Sequence, residues 1–116
     1  MRLALVLALA ACTLPLDPLG EPFTPPPVYA AWWQEVEDCT QWSADYVRIQ
    51  FYQYHEECIP WPTEGCARAT VNGYTVTFAA GAERVEYHVK HEFQHVLGMR
   101  HDHETWHRCL PGGLHQ

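Results

Sequence analysis

The sequence predicts a small α+β fold in which a helix, a group of strands and a second helix follow one another along the chain. Three observations carry this. Apolar residues recur at three- and four-residue steps over 28–39 and again over 82–97, as helices on a core require, and they alternate over 46–54, as strands require. Asn72-Gly73 sits between two further alternating stretches, which is a hairpin signal. The 116-residue length suits one domain, and 47% hydrophobic with 18% charged residues supplies a core without any apolar run long enough to span a bilayer.

The chain begins with Met1-Arg2 and an apolar run from Leu3 to Ala11, short enough and small enough at its end to read as a secretory signal over 1–11. Leu9-Ala10-Ala11-Cys12 resembles the lipobox of bacterial lipoproteins, in which the cysteine after the cut receives lipid, so Cys12 is expected to be a membrane anchor. Six prolines between Pro15 and Pro27 are too many for helix or paired strand, and 12–27 is therefore expected to be an extended spacer behind the lipidated cysteine. These readings place the protein outside the cytoplasm, lipid-anchored to the cell envelope at the bacterial outer membrane or cell surface, with the folded domain over 28–116. Seven basic residues against fourteen acidic ones give a net charge of -7, the wrong sign for tracking phosphates, so nucleic acid is not an expected partner. A monomer is expected.

Within the domain, Val28, Trp32, Trp33, Val36 and Cys39 mark the apolar side of the first helix. Val47, Ile49 and Phe51 alternate with Arg48, Gln50 and Gln53 in a strand over 46–54, and the hairpin over 69–78 adds two more, giving at least three antiparallel strands in an antiparallel or mixed sheet. The sixteen residues from Ala82 to Leu97 contain neither proline nor glycine, and Val85, Val89, Phe93, Val96 and Leu97 mark one side of a second helix that Gly98 should end. Phe93, Val96, Leu97 and the five tryptophans read as core.

With Cys12 assigned to lipid, Cys39, Cys58, Cys66 and Cys109 remain, an even number in an exported chain too small to rely on its core alone. Two disulfides are expected. Four cysteines allow three pairings, and the turn-rich loop between Cys58 and Cys66 favours Cys58–Cys66 with Cys39–Cys109. A zinc knuckle competes poorly, because no Cys-x-x-Cys is present.

Six of the eight histidines fall between His88 and His107, and two of them stand in His91-Glu92-Phe93-Gln94-His95 on the second helix. Positions four apart share a helix face with Cβ atoms about 5–6 Å apart, so both imidazoles can reach one Zn²⁺ at about 2.0–2.1 Å. Glu92 lies about 100° round from His91, beside the metal, where its carboxylate can take a proton from activated water. A third ligand must come from elsewhere. On a continuous helix His101 would be about 9 Å further along and out of reach, so the chain must turn at Gly98 to bring it back. His103 and His107 stand in the same tail as alternatives to His101, and Asp102 could accept a hydrogen bond from a ligating imidazole.

The run from His91 to His101, His-Glu-x-x-His-x-x-Gly-x-x-His, resembles the zinc signature of the metzincin metallopeptidases. That resemblance implies a zincin-like sheet beside an active-site helix, Zn²⁺ as cofactor held by His91, His95 and His101, Glu92 as general base, and hydrolysis of peptide bonds in a peptide or protein substrate. The chain departs from the family in having no methionine turn after the third histidine, since its methionines are Met1 and Met99, and in having 15 residues after His101. It reads as a minimal relative. A zinc-binding surface lipoprotein without catalysis is the competing reading, and a disulfide-stapled adhesion module with a decayed site is a third.

Overall fold

The computed structural model describes residues 20–54 and 64–112. The signal, Cys12, Cys58 and Trp61 lie outside these. Four strands form one mixed sheet in the order β1-β2-β4-β3: β1 (Glu21–Phe23), β2 (Ile49–Tyr54), β3 (Gly65–Thr70) and β4 (Gly73–Ala79). Helix α1 (Val28–Thr40) precedes β2, and helix α2 (Glu86–Val96) follows β4. The α+β class is therefore as expected.

The sheet is mixed, one of the two arrangements expected, but the three strands read from the sequence are not all antiparallel. β3 and β4 form the antiparallel hairpin, but β4 runs parallel to β2, with Phe51 opposite Val76. Side-chain alternation is the same for either direction, so the pattern in the sequence had no means of choosing. The hairpin turn is Val71-Asn72, one residue earlier than Asn72-Gly73, with Thr70 paired to Gly73. Gly73 has φ +151 and lies against the Arg48 backbone, where a Cβ would collide with the Arg48 carbonyl oxygen.

The proline-rich stretch is also partly ordered into the sheet: Glu21–Phe23 pairs antiparallel with Gln53–Phe51, and Pro22 stands opposite Tyr52. β1 is an edge strand, the one place in a sheet where a residue without an N–H does not break a ladder on both sides.

α1 buries Tyr29, Trp33, Val36 and Thr40, a face rotated by one residue from the expected one, and Val28 is exposed. Tyr29 decides this. Its ring packs edge-on against Phe51 and Phe93 with centroids 5.2 and 5.9 Å away, and its hydroxyl donates to the Glu83 carbonyl. Burial, and next the nearby Glu83 carboxylate, push the Tyr29 phenol above its ordinary range, so it stays a donor. The helix expected over 82–97 is interrupted: Ala82–Arg84 is a single 3-10 turn, Val85 is extended, and α2 starts only at Glu86.

The main core is the sheet face of Ile49, Phe51, Val76 and Phe78 against Tyr29, Trp33 and Val36 of α1 and Val89, Phe93 and Val96 of α2. Trp33 and Phe93 meet edge-to-face at 5.1 Å. Between the helices, the buried Lys90 ammonium pairs with Glu35 at 3.2 Å and Glu86 at 2.7 Å. After α2 the described chain runs only in turns, closed by Cys39–Cys109, one of the two expected disulfides. Cys66, expected to pair with Cys58, instead carries a free thiol, and Cys58 lies outside the described residues.

Candidate metal centre

The centre is assembled where α2 ends. Gly98 takes φ +93, its N–H donates to the His95 carbonyl at 2.9 Å, and the Met99 N–H donates to the Gln94 carbonyl at 2.9 Å. These are the two bonds of a Schellman cap, which needs a left-handed residue at this position and for which glycine costs least. The cap reverses the chain, and a following turn, closed by His103 N–H donating to the Arg100 carbonyl at 3.0 Å, carries His101 back over the helix.

Three imidazoles converge as a result. His101 Nε2 lies 2.9 Å from His95 Nε2 and 3.2 Å from His91 Nε2, and the three ligand atoms all fall within 4.8 Å of one another. These residues could hold a metal ion. His95 Nδ1 donates to the Met99 carbonyl at 3.1 Å, which fixes its tautomer and leaves Nε2 with a bare lone pair facing the other rings. Burial and then the neighbouring imidazoles His95, His101 and His88 hold His91 down at about 4, so it is neutral and able to donate a lone pair at neutral pH. His95 is lowered as well, again first by burial.

Glu92 stands beside this cluster. Its Oε2 is 3.9 Å from His91 Nε2, and its Oε1 is buried without a hydrogen-bond partner. Burial raises its carboxyl to about 8. A cation at the three imidazoles would favour the ionised form and draw it back down. Strand β3 presses on it: a Cβ on Gly65 would come within 3.1 Å of both Glu92 Cγ and Oε2 and within 2.9 Å of the Thr77 carbonyl oxygen. An open cavity of about 300 Å³ faces the cluster, walled by Gly65, Cys66 and Ala67 of β3 and by His91, Glu92, His95 and His101.

Other expected participants stand apart. His103 is not in the cluster: its ring meets Trp42 edge-on at 5.1 Å, and its Nδ1 accepts from the Thr105 N–H at 3.1 Å. His107 is exposed. Asp102 is largely exposed beside Arg100 at 3.9 Å, and the Met99 carbonyl does for His95 what Asp102 was expected to do. Two participants were not read from the sequence. The Met99 carbonyl follows from the cap, since it belongs to the residue after the left-handed glycine. Trp106 has no such signal: it is 2% exposed, and its ring centroid lies 4.8 Å from His91, 4.8 Å from His95 and 4.7 Å from His101. Comparison with known protein families, with curated proteins and with solved structures returned no match to this chain.

Proposed function

We propose that this chain is a zinc-dependent endopeptidase of minimal, metzincin-like design, exported and held to the cell envelope by lipid on Cys12. The observation that carries the reading is the convergence of His91, His95 and His101 through the glycine cap, with the Glu92 carboxyl on the same cavity. Tetrahedral bonds of about 2.0–2.1 Å separate donor atoms by about 3.3 Å, and the Nε2 separations of 2.9 and 3.2 Å are close to that requirement. Three imidazole nitrogen donors with an open side are the donor set of a catalytic zinc, whereas a structural site is closed by a fourth protein ligand.

Zinc, when bound, supplies Lewis-acid chemistry that activates water near neutral pH and polarises a carbonyl. The chain's residues do the rest. His91, His95 and His101 bind and orient, and the Met99 carbonyl holds the His95 ring. Glu92 takes the proton of the attacking water at its carboxylate and returns it to the nitrogen of the departing amine, so that peptide plus water become an acid and an amine. Gly65, Cys66 and Ala67 leave a wall of small side chains along which an extended peptide fits.

Replacing Glu92 by Gln tests this in the full chain. Zinc is expected to remain bound at one per chain while cleavage of a quenched-peptide library disappears. Undiminished cleavage by the variant overturns the assignment of Glu92. Zinc binding by the wild type without cleavage of any peptide leaves a metal-holding lipoprotein in place of a peptidase.

A further inference from the structure

Convergence of three imidazoles has to be held, because the ring torsion of histidine is broad. His95 is held by the Met99 carbonyl. Among the described residues no comparable hydrogen bond holds the second nitrogen of His91 or of His101. What all three rings share is a contact with one indole.

Trp106 meets His91 with an interplanar angle of 88°, His101 at 75° and His95 at 45°. The contacts with His91 and His101 are edge-to-face, which favours one relative orientation of the two planes beyond the apolar area they bury, and the contact with His95 is tilted. The indole is not part of the cavity wall, and it is almost wholly enclosed. It therefore meets the three rings from outside the lining of that cavity. Its position is set by the metal-bearing helix itself, since Gln94, fully buried between His91 and His95 in sequence, donates from Nε2 to the Trp106 carbonyl at 3.0 Å. Met99 and Leu110 pack with it as a second, separate core.

Building on the zinc reading, we infer that Trp106 is a positioning residue of the metal centre: its ring locks the three imidazole planes in convergence and keeps solvent from the face of the cluster that it covers. A tryptophan that merely fills core would contribute stability and leave metal affinity and geometry alone. A platform contributes to both.

The test uses the full chain with Trp106→Phe and Trp106→Leu. Zinc affinity is read by chelator competition, and cobalt is substituted so that its visible absorption reports geometry, intense for four-coordinate and weak for six-coordinate metal. The expected result is a zinc affinity lowered about 10–100-fold in Trp106→Leu, the usual range for groups supporting metal ligands, with weakened cobalt bands. Trp106→Phe should restore affinity to within about threefold of wild type, in the same range of reasoning. Wild-type affinity and cobalt spectrum in both variants overturn the inference. Because Trp106→Leu could unfold, a second reading is made on the wild type, with Trp106→Phe serving only to assign the resonance: one equivalent of zinc should shift the indole N–H resonance of Trp106 more than that of any other tryptophan. An unmoved Trp106 resonance overturns the inference even then. Wild type that binds no zinc removes the metal centre itself, which separates failure of the zinc reading from failure of this one.

Discussion

His91, Glu92 and His95 come from a helix packed on a sheet, whereas His101 and Trp106 come from a segment that runs in turns from Met99 to Gly112. The first group is placed by the large core, where Phe93 and Val89 of α2 are completely buried. The second is placed by discrete ties: the glycine cap, the Gln94 bond to the Trp106 carbonyl, the small cluster of Met99, Trp106 and Leu110, and the disulfide from Cys39 to Cys109. A helix sets two candidate ligands by its period alone, whereas the third depends on a few cross-links between the tail and the rest of the fold.

Cutting the strongest tie should have the largest effect. Replacing Cys39 and Cys109 by Ala opens a loop spanning 70 residues, a loss of about 4 kcal/mol in the chain-entropy account. Chemical denaturation should show that loss, and zinc affinity should fall with it because Cys109 is three residues from Trp106. Unchanged zinc affinity in the folded double variant would mean that the tail holds its place without the bridge. Next, His101→Ala should weaken zinc binding by on the order of 100-fold, at or beyond the upper end of what losing a supporting group costs, while His103→Ala should leave it unchanged. The reverse pattern would move the third ligand two residues along the tail.

The helix-borne half can be probed by pH. Glu92 is raised from 4.5 to about 8 by burial, so the folded metal-free chain holds a proton that the unfolded chain releases. Its contribution to stability is complete below about pH 4.5 and is lost as pH rises through about 8. Glu92→Gln cannot ionise and should keep that stability. Urea unfolding of the metal-free proteins should therefore diverge between pH 5 and 8, with the variant more stable by about 4 kcal/mol at the upper end. Parallel curves would mean that the carboxyl is better solvated than its burial indicates. The smallest expected effect is that of Gly65→Ala. The added Cβ meets Glu92 and the Thr77 carbonyl oxygen, and a small displacement of the carboxyl should lower turnover about tenfold with zinc affinity unchanged. Equal turnover would show that β3 yields without moving Glu92.

The contrast between the two halves also explains what was legible in the sequence. Residues tied to a local period or a local cap were readable: the helix face of His91 and His95, the flanking Glu92, the turn at Gly98 and, from it, the return of His101. Cys39–Cys109 was one of three pairings the cysteines allowed, favoured by a loop closure at Cys66 that the free Cys66 thiol does not bear out. Residues placed by long-range packing were not. Trp106 reads as one more large apolar residue, because nothing near it in sequence shows that its ring lies under the imidazoles. The parallel pairing of β2 with β4 escaped for the same reason, since alternation records which face a side chain takes and not which way the neighbouring strand runs. The break at Val85 was invisible too, since no proline or glycine marks it in the sequence.

The central claim is that three imidazoles, one of them delivered by the turn-built tail, share a single zinc ion with one side left open. X-ray absorption at the zinc edge on the full chain, loaded with one equivalent, tests it most directly. The account predicts a shell of three imidazole nitrogens and one further oxygen at about 2.0–2.1 Å, reduced to two imidazoles in His101→Ala. A sulfur shell at about 2.3 Å, which would bring in the Cys66 thiol, or an imidazole count unchanged in His101→Ala, would contradict it.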